Sequence, residues 1–194
     1  MSSPAQSFRF HHYDLKDGLP GRNIHAMLQD SRGYMWFGTS DGLCRFDGYS
    51  FTTYQSNPSD SSSLSFNAVF CLMEDQQGRL WVGTGGGGIN VYDWKTERFF
   101  TLKHQAGKKG SLSNDYVLDL LQDKEGRIWA ATNEGLNVLE QAVSPYTWRT
   151  YHRIPGNEQS LLAEEITALE TDSAGRLWIG YSKAGLSCLE LTNS

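Results

Sequence analysis

The chain has little of what most enzymes and nucleic-acid-binding proteins display. Its 194 residues include 3 cysteines, 5 prolines and 5 histidines, and only 20% of positions carry charge. Cys44, Cys71 and Cys188 are an odd set with no C-x-x-C spacing. Neither a disulfide framework nor a zinc site is signalled, and free, mostly buried thiols are expected. With 17 basic against 22 acidic residues, a net charge of -5 and no Lys/Arg run, the chain offers no field for a phosphate backbone, so nucleic acid is excluded as an expected partner. No apolar run approaches the roughly 18 residues of a membrane helix. The start, MSSPAQSFRF, lacks the basic-then-apolar layout of a signal peptide. The chain is therefore expected to hold no membrane segment and no export signal, with residues 1–7 as a disordered leader.

Catalytic chemistry is equally thin. A nucleophile beside a base, paired carboxylates or ligands at metal spacing are not evident. His11 and His12 are adjacent in an expected strand, so they point to opposite faces and cannot share an ion. His25 lies in an apolar run and is expected to be packed, while His104 and His152 open polar loops. The run Gly85 to Gly88 lacks the Lys-Ser/Thr and the helix of a phosphate-binding loop, and reads as a turn between strands. No enzyme activity, cofactor or metal is expected.

What is abundant is glycine, 20 residues, and aromatic β-formers, 9 Tyr, 9 Phe and 6 Trp. This suits short strands joined by turns. A search for internal periods finds one pattern, D-x-x-G-x-[MLI]-W, four times: Asp30 to Trp36, Asp75 to Trp81, Asp123 to Trp129 and Asp172 to Trp178. Before each Asp stands a short apolar run, IHAMLQ, VFCLME, VLDLLQ or ITALET, which reads as a first strand. The D-x-x-G is a tight turn, since Asp bonds its own downstream backbone and Gly accepts positive φ.

The second strand then carries the Trp in MWFGT, LWVGT, IWAAT or LWIGY, and a third follows in GLCRFD, GINVYD, GLNVLE or GLSCLE. FTTY at 51–54, FFTL at 99–102 and WRTY at 148–151 supply a fourth. Four strands per repeat is the blade of a β-propeller. A sandwich lacks such a super-period, and a β-solenoid has a shorter one. The fold class is thus all-β, a single propeller region over 8–194 with blade cores near 22–54, 67–102, 115–151 and 164–191. The fixed place of the four tryptophans points to packing between blades, not to a ligand platform.

The repeat D-x-x-G-x-[LI]-W-x-G-T-x-x-G-[LI], with leaders such as DGLPGRNIH and SLSFNAVFCLMED, resembles the two-component regulator propeller repeat of bacterial sensor proteins, from about Phe8 to Leu191. The resemblance implies a periplasmic sensor region joined, in a parent chain, to a transmembrane helix and to an output histidine kinase or diguanylate cyclase. This sequence departs from the family in WAAT and WIGY, and in having only four units where rings of about seven blades are common. FHHY at 10–13 matches the fourth-strand pattern and precedes the first unit, whereas the last unit has three strands. Pairing of these two would close a four-bladed ring; an open arc of a larger propeller is the favoured expectation. An open arc leaves two apolar flanks without a neighbour.

In propellers the loops entering the first strand and those between the second and third strands share one side, where variable polar loops present ligand sites. The candidates there are Arg22, Asn23, Asn67 and Asn114 from the entering loops, and Asp41, Asn133, Glu134, Tyr181 and Lys183 from the second set. The asparagines could equally close turns onto backbone groups. The leading functional expectation is a ligand-sensing input module that binds a small molecule or saccharide on this face. The alternatives are a protein-protein interaction scaffold and, least favoured, a propeller lyase or hydrolase.

Overall fold

A computed structural model describes residues 8–142 and 144–191. The expected leader, 1–7, lies outside the described residues. Blade 1 comprises β1 (Ile24–Gln29), β2 (Met35–Thr39), β3 (Gly42–Phe46) and β4 (Phe51–Tyr54). Blade 2 comprises β5 (Val69–Glu74), β6 (Leu80–Thr84), β7 (Ile89–Asp93) and β8 (Arg98–Leu102), and blade 3 comprises β9 (Val117–Gln122), β10 (Ile128–Thr132), β11 (Gly135–Gln141) and β12 (Thr147–Tyr151). Blade 4 has β13 (Ile166–Thr171), β14 (Leu177–Tyr181) and β15 (Gly185–Leu189). Each blade is an antiparallel sheet in sequence order. Successive blades touch through their first strands, β1 on β5, β5 on β9 and β9 on β13, so these strands line the inner edge.

The repeated motif has one structural cause. In blade 2 the buried Asp75 accepts the amides of Gln77 and Arg79 through Oδ1, at 3.0 and 2.9 Å, and the Trp81 indole N–H through Oδ2 at 2.8 Å. The same carboxylate-to-indole bond recurs from Asp30 to Trp36 at 2.7 Å, from Asp123 to Trp129 at 2.8 Å and from Asp172 to Trp178 at 3.0 Å. The Asp therefore shapes the turn and also satisfies the one polar atom of a large buried side chain. The Gly of the motif takes φ between +72° and +93° in all four turns, a region that disfavours any residue with a Cβ.

Trp36, Trp81 and Trp129 pack toward the following blade. Trp36 joins Leu64, Val69, Leu80, Val82, Tyr92 and Phe99, Trp81 joins Val117, Leu120, Ile128, Ala130 and Trp148, and Trp129 joins Ile166, Leu169, Leu177 and Ile179. A Cβ added at Gly38 would meet Val69 Cγ1 at 2.6 Å, and one at Gly83 would meet Val117 Cγ1 at 2.9 Å. These glycines admit the first strand of the next blade. Buried leucines plug the interfaces from the connecting loops, as at Leu64 and Leu112.

Two expectations need correction. Residues 10–13 form no strand, and no ladder joins 8–13 to 186–191, so the four blades form an open arc with exposed flanks. His11 and His12 are thus not strand residues. His25 is exposed and not buried in the core, because β1 carries a bulge between Ile24 and Ala26 that turns the intervening side chain out of the regular alternation. Of the cysteines, Cys44 and Cys71 are buried and Cys188 is exposed.

Candidate functional site

The two loop sets do meet on one side. The amides of Ser40, Gly85, Asn133 and Ser182, after the second strands, donate to the carbonyls of Asn23, Ala68, Tyr116 and Glu165, before or at the start of the first strands. Gly135 N also reaches Glu164 O at 2.9 Å, binding the third blade to the loop that enters the fourth. A rigid hydrogen-bonded rim results, on which side chains are held by backbone fixed on both sides.

The run Gly85 to Gly88 is part of this rim. Gly85 N donates to Ala68 O, Gly86 N and Gly88 N both donate to Asp115 O, and Gly87 N donates to Thr84 Oγ1. All four amides are engaged within the protein, so none is left to cradle a phosphate. Bare backbone here lets aromatic rings lie against it: a Cβ at Gly85 would meet Phe70 Cε2 at 2.5 Å, and one at Gly86 would lie 3.7 Å from Phe66.

The sequence-predicted residues fall into two groups. Arg22, Asn23, Asp41, Glu134 and Lys183 are exposed on the rim, and Asn133 is half-buried there. The others are held in structural bonds. Asn114 Oδ1 accepts Tyr116 N at 2.7 Å and closes a turn, whereas Asn67 Oδ1 accepts Ser56 N at 2.7 Å and ties together the two ends of the loop that enters blade 2. Tyr181 is buried, and its hydroxyl accepts Leu162 N at 3.2 Å while donating to Ser187 Oγ at 3.1 Å. That hydroxyl does in blade 4 what buried asparagines do in blades 2 and 3, where Asn90 Oδ1 accepts Ser65 N and Asn137 Oδ1 accepts Ser113 N, each at 2.9 Å. Ser187 occupies the asparagine's place in the third strand, and the tyrosine compensates from the second.

Between the polar rim residues lies an aromatic row. The His25 and Phe70 rings stand 5.1 Å apart edge to face, and Phe70 and Tyr116 are 5.3 Å apart and tilted. Phe66 and Tyr116 are exposed at 43% and 36%, high enough for a ligand to cover them. His25 is oriented by Ser40 Oγ at 2.9 Å from its Nε2. His25 and Phe70 are the bulged residues of β1 and β5, which is why they reach this surface.

Two open grooves lie elsewhere. One of about 510 Å³ is lined by Phe100, Leu102, Lys103, Lys108, Tyr146 and Trp148, between blades 2 and 3. Another of about 590 Å³ lies between blades 3 and 4 at Trp129, Arg149 and Leu189. Neither contains a candidate of the loop face. Among the described residues no cluster of three or more His, Cys, Asp or Glu side chains is placed to hold a metal ion.

The comparisons with known proteins fit this architecture. The two-component regulator propeller family matches residues 18–41, 63–86, 111–134 and 160–183, one segment per blade. A histidine kinase P4 of Formosa agariphila is 38% identical over 65 residues, covering 34% of this chain and 5% of its own length. Two extracellular domains of putative hybrid two-component systems from B. thetaiotaomicron share the fold. One is 24% identical with a TM-score of 0.81 over 93% of this chain and 25% of its own, and the other is 23% identical with 0.74 over 92% and 23%. The chain spans only a small part of these relatives. It belongs to the two-component regulator propeller family and carries four of its repeats.

Proposed function

We propose that this chain is part of an extracytoplasmic input module of a signal-transduction protein, non-catalytic, whose loop face binds a saccharide or a similar small polar molecule. The observation that carries the reading is the surface row His25, Phe70 and Tyr116, with Phe70 half-buried between two exposed rings and the exposed Phe66 beside it, flanked by Arg22, Asn23, Asp41, Asn133 and Glu134. Aromatic faces take the apolar side of a sugar ring, and a few oriented polar groups select its hydroxyls. The rim bonds hold these groups in place before the ligand arrives, which lowers the ordering cost of binding.

The chemistry of the interior agrees with a binding role. Asp119, whose carboxyl is raised above its ordinary value by burial, accepts the amides of Leu169 and Leu120 and so latches blade 3 to blade 4. These bonds serve the fold. The output would be a kinase or cyclase in the parent chain, in line with the histidine kinase relative.

Thermal unfolding of the chain in a panel of mono- and oligosaccharides tests the proposal. A ligand binding only the folded state raises the melting temperature by mass action, and Phe66→Ala and Tyr116→Ala should abolish the rise while still folding. If no sugar stabilises the protein, or if both variants respond like the parent, the aromatic row is not the site. A stoichiometric protein partner without any ligand response would point to a scaffold.

A further inference from the structure

The interface between blades 1 and 2 and the one between blades 2 and 3 share a backbone and differ in side chains. Leu43 and Ile89, each following the glycine that opens its third strand, pair with Tyr54 and Leu102, so these two positions are equivalent. In the same way Phe99, opposite Tyr92, is equivalent to Trp148, opposite Leu139. The connecting loops match as well: Phe99 N donates to Ser62 O and Trp148 N to Gly110 O, each at 2.9 Å. Between blades 1 and 2, Tyr54 fills the space. Its ring lies 5.7 Å from Trp36, 5.5 Å from Tyr92 and 5.6 Å from Phe99, and its hydroxyl meets that of Tyr92 at 3.0 Å. Between blades 2 and 3 the shorter Leu102 stands in Tyr54's place, and there the groove of about 510 Å³ opens between the outer strands β8 and β12.

The walls of this groove have a chemistry of their own. Phe100, where blade 1 has Thr52, stacks on Tyr146 with ring centroids 5.3 Å apart and planes 28° from parallel. Lys103 and Lys108 replace Gln55 and Asp60 of the preceding loop. Both lysines are exposed, neither forms an ion pair among the described residues, and no Asp or Glu lines the groove. Trp148 replaces Phe99 and brings a polar atom into a buried wall. The indoles of Trp36, Trp81, Trp94, Trp129 and Trp178 all donate to an oxygen, whereas the Trp148 indole N–H, in a side chain only 4% exposed, has no acceptor. A buried donor without a partner is uncommon in a settled core.

We propose that the groove between blades 2 and 3 is a binding site for a small aromatic carboxylate, separate from the loop face. The ligand's ring lies against Phe100 and Tyr146 over the floor left by Leu102. Its carboxylate meets Lys103 and Lys108, and a ligand oxygen supplies the acceptor that the Trp148 indole lacks. An apolar cleft with a few convergent polar groups is the usual form of a small-molecule site. Because the walls come from both blades, a bound molecule ties blade 2 to blade 3.

The test is calorimetric titration of the intact chain with indole-3-acetate. Saturable binding that weakens with salt is expected. Indole-3-acetamide, with the same ring and no charge, should bind at least about tenfold more weakly, and the double variant Lys103→Ala, Lys108→Ala should lose about as much for the acid. Trp148→Phe, which copies Phe99, should weaken the acid without lowering the melting temperature. Leu102→Tyr, which copies Tyr54, should fill the groove and abolish binding. Absence of binding at millimolar acid, equal affinity for acid and amide, or a folded Leu102→Tyr protein that binds like the parent would overturn the proposal. Should Leu102→Tyr not fold, the exposed lysine pair decides alone, and unchanged affinity in that variant overturns it.

Discussion

Blade 2 and blade 4 carry the same motif with different surroundings, and the difference separates what a repeat encodes from what its neighbour completes. In β6 every residue is buried, and Trp81 is 0% exposed; in β14 the residues alternate, with Trp178 and Gly180 partly open. Both tryptophans bond their Asp, and both lie under an arginine, Arg79 at 5.3 Å and Arg176 at 5.6 Å from the ring centroid. The hairpin is thus a local property of the sequence. Burial comes only with a following blade, as expected when stability is a sum of repeat and interface terms.

The largest effect should follow Trp81→Ala, which empties a closed interface and should cost roughly 3 to 5 kcal/mol in denaturant melts. Trp178→Ala should cost under about 1.5 kcal/mol, since half-exposed side chains lose little on truncation. Equal losses would break the comparison. Next, Asp75→Ala leaves the buried Trp81 indole N–H and the turn amides without an acceptor, and should cost about 2 to 3 kcal/mol by the same melts.

The half-buried counterpart, Asp172, should show itself through pH. The Trp178 indole N–H first, then the Arg176 amide and guanidinium, hold its carboxyl below the ordinary carboxylate value. A depressed native value stabilises above the unfolded pKa and is lost as pH falls toward the native one. The stability gap between the parent and Asp172→Asn should therefore narrow as pH drops below about 4, and narrow further in salt because the site is open to solvent. Smallest of all, Asp41→Ala and Lys183→Ala should lie within about 0.5 kcal/mol of the parent. A larger loss in either would make that residue structural.

The thiols repeat the contrast. Burial raises the Cys44 thiol to about 11 and the Cys71 thiol well above its ordinary value, so neither supplies much thiolate at neutral pH. Cys188, on the open flank of blade 4, should be the one residue labelled by a thiol reagent in the folded monomer.

Much of this fold was legible because a period repeated four times averages out local ambiguity. The sequence assigned Asp to the turn and Trp to packing separately; their bond appears only once the hairpin brings positions six apart together. The bulges that turn His25 and Phe70 toward the loop face were not legible, since a bulge is a mismatch between two strands and neither strand alone records it. Asn114, singled out by residue type, closes a turn and Asn67 ties the ends of its own loop, while Asn90 and Asn137, hidden inside third strands, anchor the entering loops. Residue type marked the chemistry there, and strand position decided its use.

The central claim is that a blade is completed by the one after it, and native-state hydrogen exchange tests it without mutation. The amides of β6 and β14 are both in central strands, paired on either side. In dilute protein the account predicts that β6 amides exchange orders of magnitude more slowly than β14 amides, because opening blade 2 breaks two interfaces and opening blade 4 breaks one. Equal protection in the two strands would contradict it.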